Sequence, residues 1–333
     1  MRYIIIGAGA IGGAIGGRLH DSGHDVVLVA RGRHHDTLRD RGLRLRTPDG
    51  DLELSVPVAG RPEDVGLRPD DVLVLAVKTQ DSGAALDAWA HRPVEGGGTA
   101  ARRLPLICAQ NGVENERLAL RRFQRVYGMC VWLPATHVEP GEVTVPCGPY
   151  AGALTLGRFP SGQDDVVRRM GADLEKSGFL APVVDHVMRW KYAKLVTNLG
   201  NAVNALCGPG AGPEAKALAE RAREEGAAVL DAAGTDRASA GELSELVAGK
   251  VEMRPVAGVQ HGRGSSWQSL ARGSGTIESD FLNGEIVLLG RLHGIATPVN
   301  EALREAANEA ARAHRPPGSM TGAELGARVD AFR

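Results

Sequence analysis

The sequence predicts an α/β chain in two parts, a doubly wound parallel sheet followed by an all-helical domain. Three observations carry this. In the first half, short and nearly continuous apolar runs alternate with helical patterns, as strands covered on both faces do when crossover helices join them. A glycine cluster follows the first run directly. From about Val187 the β-branched runs give way to long stretches of helical spacing. Together these describe a Rossmann-type N-terminal domain over residues 1–184 and a helical C-terminal domain over residues 185–333.

The predicted parallel strands are Tyr3–Ile6, Asp25–Val29, Asp71–Ala76, Pro105–Cys108 and Val126–Trp132. Between the second and third, LRLRTPDGDLELSVPV has two alternating arms around Pro48-Asp49-Gly50, a β-hairpin with turn chemistry at its tip. Pro134 to Arg158 also reads as β, with turns at Pro140-Gly141 and Gly148-Pro149, and Val166 to Ser177 as a helix. VMRWKYAKLVTNLGNAVNAL then reads as one long helix, followed by helices over Glu214–Ala233, Ala240–Met253, Thr276–Leu289 and Val299–Ala313. The last has Thr297 as N-cap and Pro298 in its first turn, with Gly294 closing the helix before it.

Lys+Arg 39 against Asp+Glu 40 leaves no bulk attraction for nucleic acid or an acidic membrane. Cys108, Cys130, Cys147 and Cys207 show neither CxxC nor zinc spacing, so reduced, packed thiols are expected and no metal. Neither a signal peptide nor an apolar span is recognisable, and the cytoplasm is the expected compartment.

Gly7-Ala8-Gly9-Ala10-Ile11-Gly12 is a GxGxxG that follows a strand and opens a helix. Its glycines serve a tight turn, close approach to a pyrophosphate, and helix–strand packing, while the helix N-terminus faces the phosphates. NAD binders place an acid at the tip of the second strand, about 20 residues on, to hold the ribose hydroxyls. Here the tip reads Val29-Ala30-Arg31-Gly32-Arg33. A carboxylate would repel a 2′-phosphate and an arginine pairs with it. NADP(H) is therefore the expected cofactor, with Arg31 as the first contact and Arg33 as the weaker candidate.

Lys78 and Asn111 follow the third and fourth strands, where open α/β sheets bind ligands. In the helical half, Lys194, Asn198 and Asn201 are spaced four and three apart and share a face beside the apolar stripe Leu195, Leu199 and Val203. That face is either a solvated edge or a polar site. Glu278 follows Thr276, a candidate helix cap, and an acid in a first turn needs no chemistry to explain it.

The ordered set GAGAIGG, VARG, LAVKTQD, QNGVEN, KLVTN, SSWQSLARG and ESDFLNG resembles the ketopantoate reductase family over nearly the whole chain. The resemblance implies NADPH-dependent reduction of a 2-oxo acid, with 2-dehydropantoate as the leading substrate, in a cleft between two domains. It places the general acid on Lys194 rather than Lys191, so that Lys194→Ala cuts kcat drastically with NADPH binding intact and Lys191→Ala is mild. It places substrate contacts on Asn198, Ser266 and Glu278, and loop contacts on Lys78 and Asn111; Asn201 is an added substrate candidate. Two positions depart from the family pattern. Ala202 stands where a second helix asparagine is usual, with Asn201 or Asn204 as substitutes, and Arg263 where an asparagine is more typical. A mandelate-type D-2-hydroxy acid dehydrogenase and a nonenzymatic NADP(H) sensor are the alternatives. A homodimer through the helical domain is the expected assembly.

Overall fold

Tyr3 and Ile5 face one hydrophobic layer while Ile4 and Ile6 face another, which is why this run carries no polar alternation. The structure, a computed structural model, describes residues 1–258 and 264–332. Its strands are β1 (Arg2–Ile6), β2 (Asp25–Val29), β3 (Leu43–Thr47), β4 (Gly50–Leu54), β5 (Val58–Ala59), β6 (Asp71–Leu75), β7 (Leu106–Cys108), β8 (Val126–Trp132), β9 (Glu142–Thr144), β10 (Cys147–Pro149), β11 (Ala153–Arg158) and β12 (Val251–Met253). Its helices are α1 (Ala10–Asp21), α2 (Gly32–Arg41), α3 (Thr79–Ala90), α4 (Ala100–Arg103), α5 (Asn115–Leu120), α6 (Asp165–Lys176), α7 (Val187–Asn198), α8 (Asn201–Cys207), α9 (Pro213–Ala232), α10 (Ala240–Val247), α11 (Ser265–Ala271), α12 (Asn283–His293), α13 (Pro298–Arg312) and α14 (Gly322–Asp330).

The main sheet has seven strands in the order β11-β8-β7-β6-β1-β2-β5. All are parallel except β11, which runs antiparallel to β8. Apart from β11 this is the doubly wound order, and it reverses between β1 and β6. In register, Val29, Ile6, Leu75 and Cys108 stand side by side at the carboxyl ends of β2, β1, β6 and β7. Whatever follows those four residues lines one edge of the sheet. At the opposite end Arg2 and Asp71 form a buried two-pronged ion pair, 2.7 Å at both contacts. The predicted hairpin is β3–β4, pairing Leu43 with Leu54 and Thr47 with Gly50, and β9 adds to β3.

Two compact units result, Met1–Lys191 with Ser239–Val259, and Tyr192–Ala238 with Gln260–Arg333. This differs from a division at residue 184 in two ways. The cut falls within α7, and a segment of the C-terminal half belongs to the first unit. The helix expected over Ala240–Met253 ends at Val247, and β12 pairs antiparallel with β10, Cys147 opposite Met253. Gly148-Pro149, expected as a turn, lies inside β10. Arg189 also holds Glu242, the first-turn acid of α10, at 2.9 Å.

Among the described residues of the second unit the regular elements are all helices. The single helix expected from Val187 onward is interrupted after Asn198 and resumes at Asn201. Thr276 is not at a helix N-cap: a 3₁₀ turn, Glu278–Phe281, follows Ile277, and α12 begins only at Asn283. Pro298 opens α13 and Gly294, left-handed at φ 68°, closes α12, both as expected. Thr297 stands at the cap position without a side-chain capping bond; Glu225 accepts the Val299 and Asn300 amides instead, at 3.0 and 2.9 Å. No described helix is long and apolar enough to cross a membrane. The thiols of Cys108, Cys130 and Cys147 are buried and that of Cys207 is half-buried, and none of the four forms a disulfide.

Candidate functional site

The first unit gathers its candidate residues by strand register. Gly7 follows Ile6, Arg31 lies two residues beyond Val29, Lys78 three beyond Leu75, and Asn111 three beyond Cys108. The three glycines of the turn differ in their surroundings. Gly7 sits at φ 102°, and a side chain there would press on Val77 at 2.8 Å. At Gly12 a Cβ would fall onto the Gly7 carbonyl and lie 3.1 Å from Ala76, so this glycine lets α1 pack on the sheet. Gly9 differs from both: a Cβ there would meet no protein atom within 4 Å. Packing does not require glycine at that position, which caps the N-terminus of the 12-residue α1. Open space beside unpaired helix amides fits a pyrophosphate. Ala8, Ala10 and Ile11 complete the turn.

Arg31 caps α2 and Arg33 lies in its first turn, both exposed. Among the described residues neither guanidinium has a hydrogen-bond or ion-pair partner, whereas Arg39 at the far end of the same helix is paired with Asp36 and Asp40. Sequence reasoning missed His34 beside them. Gly141 N–H donates to His34 Nδ1 (3.0 Å), so the proton sits on Nε2, which donates to the Ala8 carbonyl (2.7 Å). The ring thus braces the glycine turn. Burial holds its pKa below the usual histidine value, which keeps it in the neutral form that accepts the Gly141 bond.

A buried network ties the two loops that carry Lys78 and Asn111. Gln110 Nε2 donates to the Val77 carbonyl and to Ser82 Oγ, both at 2.7 Å. Ser82 Oγ donates to Asn115 Oδ1 (2.8 Å), and Asn115 Nδ2 donates to Thr79 Oγ1 (3.0 Å) and the Asn111 carbonyl (3.2 Å). Below it Lys191, only 3% exposed, pairs with the fully buried Glu116 and donates to the Gln110 carbonyl at 3.2 Å. Burial pushes the Glu116 carboxyl up, and the Lys191 ammonium opposes that shift. Lys191 is therefore an internal anchor. Polar residues one turn past a QNG loop were the available signal, but nothing local said they were buried.

In the second unit Lys194 and Asn198 lie on the last two turns of α7, both half-buried. Leu195, Leu199 and Val203 are all buried. The break after Asn198, however, sets Leu195 on α7 and Val203 on α8 with Leu199 between, so the single helical face expected for them and for Lys194, Asn198 and Asn201 is divided between two helices. Asn201 opens α8, which packs on α11. Its side chain borders Gly264, the residue before α11, with Oδ1 3.8 Å from where a Cβ would stand. Ser266, second in α11, is 5% exposed and Glu278 is 7% exposed. Glu278 lies within the electrostatic reach of Arg272, and its burial does not suit a solvated first-turn acid. Ala202 is buried in α8 and Asn204 is exposed, so Asn204 lies apart from this polar face. Arg263 lies outside the described residues. Among the described residues no group of three or more His, Cys, Asp or Glu could hold a metal ion.

Residues 3–161 match the sequence profile described as Ketopantoate reductase PanE/ApbA, and residues 186–311 match the profile of its C-terminal part. A 2-dehydropantoate 2-reductase of Mesorhizobium japonicum is 31% identical, over 91% of this chain and 95% of that protein. The crystal structure of a PanE/ApbA family ketopantoate reductase from Ralstonia eutropha JMP134 superposes with a TM-score of 0.75 at 27% identity, covering 95% of this chain and 100% of that one. D-mandelate dehydrogenase in a ternary structure with NADH and anilino(oxo)acetate has a TM-score of 0.78 at 20% identity, covering 94% and 99%, a likeness of fold.

Proposed function

The chain belongs to the ketopantoate reductase PanE/ApbA family, and from that premise we propose that it reduces a 2-oxo acid, 2-dehydropantoate first among them, with NADPH. The observation that carries the cofactor is the pairing of the open cradle at Gly9 with two unpartnered arginines at the tip of the neighbouring strand. Gly7 to Gly12 and the α1 amides would hold the pyrophosphate, and Arg31 with Arg33 the 2′-phosphate. When bound, the dinucleotide supplies a hydride to the substrate's carbonyl carbon. Lys194 holds its ammonium for the carbonyl oxygen, stabilises the charge that develops there and gives it a proton. Asn198, Asn201, Ser266 and Glu278 bind and orient the substrate, with Lys78 and Asn111 serving cofactor and substrate from the strand-end loops. Leu288 and Leu292, exposed one turn apart on α12, support a homodimer through the helical unit, which sedimentation at micromolar concentration tests.

The functional test follows NADPH oxidation over a panel of 2-oxo acids that includes 2-dehydropantoate and aromatic 2-oxo acids. Fastest turnover of 2-dehydropantoate supports the proposal; a preference for benzoylformate would move the assignment to mandelate-type chemistry. Arg31→Asp removes a charge-assisted contact of about 1.5–3 kcal/mol and adds repulsion, so NADPH should bind at least ~10-fold more weakly while NADH is little affected. Equal losses for both nucleotides would refute the 2′-phosphate assignment.

A further inference from the structure

Asn283 and Asn300 take no part in the chemistry above, yet their side chains are almost wholly buried, 1% and 0% exposed. A buried carboxamide persists when its donors and acceptors are paired, and these two are paired with one particular place. Asn283 Nδ2 donates to the Leu199 carbonyl (3.0 Å) and to Asn300 Oδ1 (2.9 Å). Asn300 Nδ2 donates to the Ala222 carbonyl (3.0 Å) and to Glu225 Oε1 (2.8 Å). Glu225 in turn caps α13 through the Val299 and Asn300 amides. The chain of bonds runs from Leu199 to the body of α9 and the start of α13.

Leu199 lies where α7 stops and α8 has not begun. Its amide reaches back three residues, to Val196 at 3.3 Å, instead of the four of a continuing α-helix. Its carbonyl, which an unbroken helix would pair with the amide of residue 203, is met by Asn283. The neighbouring surface is shaped to the same break. Gly226 of α9 leaves the notch that Leu199 fills, and at Gly200 a Cβ would stand 2.7 Å from the Arg223 guanidinium. Asn198 is the last residue of α7 and Asn201 the first of α8, so the break sets the direction of both.

We propose that Asn283 and Asn300 are positioning residues: through the Leu199 carbonyl they fix the helix break that aims Asn198 and Asn201 at the substrate. The inference rests on the reading of Lys194, Asn198 and Asn201 as the substrate-facing set. Without the Asn283 amide, the Leu199 carbonyl and Asn300 Oδ1 lose their donor inside the core, and the junction relaxes toward a continuous helix or frays. A shift of about 1 Å in a substrate-orienting group lowers turnover on the order of 10²-fold.

The experiment uses the full chain carrying Asn283→Ala or Asn300→Ala, with kinetics, NADPH titration and amide hydrogen exchange on each. Expected is a kcat loss on the order of 10²-fold at temperatures where the variant is fully folded, with NADPH affinity unchanged. Exchange should quicken at residues 199–204. Glu225→Gln keeps an acceptor for Asn300 and should show the same pattern at only a few-fold loss; it carries the test if the alanine variants do not fold. Folded variants with wild-type kcat and unchanged exchange at 199–204 would overturn the proposal. If the wild-type chain reduces no 2-oxo acid, the functional reading fails separately. The exchange data then still decide whether Asn283 holds the break, and unchanged exchange overturns it.

Discussion

Removing the Lys191 ammonium should cost this protein stability, whereas removing that of Lys194 should cost it turnover. Lys191 is 3% exposed and its partner Glu116 is fully buried. The pair is backed by the Gln110 carbonyl at 3.2 Å. Lys191→Met leaves a buried carboxylate without its cation, a loss of about 3–5 kcal/mol. For a folding unit of this size each kcal/mol lowers Tm by about 2–4 °C, so a fall of about 6–20 °C is expected by calorimetry. Replacing both partners, Lys191→Met with Glu116→Leu, removes the orphaned charge and should recover most of that loss. Lys194→Ala is the contrast. Its side chain is half-buried on the polar edge of α7, so Tm should move little while kcat drops by a factor of ~10²–10⁴. The expectation from sequence that Lys191→Ala is mild concerns turnover, and the loss of stability is separate from it. A Tm within 1–2 °C of wild type for Lys191→Met (about a tenth of the predicted shift at the upper end) would refute the anchor. A folded Lys191→Ala with no turnover would refute Lys194 as the acid.

Gly9→Ala adds a methyl group where no protein atom lies within 4 Å, so Tm should hold while NADPH binding weakens; Gly12→Ala drives the same group into the Gly7 carbonyl and should lower Tm, both readable by thermal shift with and without NADPH. Glu278→Ala should raise the substrate KM strongly and leave NADPH affinity in place, and a change confined to Tm would return Glu278 to a structural role. His34 tests the pH dependence. Its folded pKa is depressed by burial, so the unfolded chain binds its proton more readily. Stability from this group is therefore complete above the unfolded value near 6.5 and falls as pH drops below it. Denaturant titrations between pH 7.5 and 5.5 should show that slope, roughly the window around the unfolded histidine value, and His34→Gln should flatten it.

What the sequence alone determined is what short-range chemistry determines. Strands β2 and β8 occupy the predicted residues because a run of branched apolar side chains between turn residues has few other conformations open to it. The glycine turn, Pro298 and Gly294 were legible for the same reason: each imposes its own backbone geometry. The resemblance of ordered motifs added the candidate site, and strand register then aligned its first half. The tertiary structure alone decided which polar residues act inside the core. Lys191 and Lys194 are alike in local sequence, and only the burial of Glu116, 75 residues away along the chain, makes Lys191 a buried anchor while Lys194 stays half-buried. At the break after Asn198 the Leu199 carbonyl is met by Asn283, 84 residues away, and β12 pairs with the edge that β10 offers. Helical periodicity records which face is apolar, but a hydrogen bond across such separations leaves no periodic trace. Its partners are fixed only when the chain has packed.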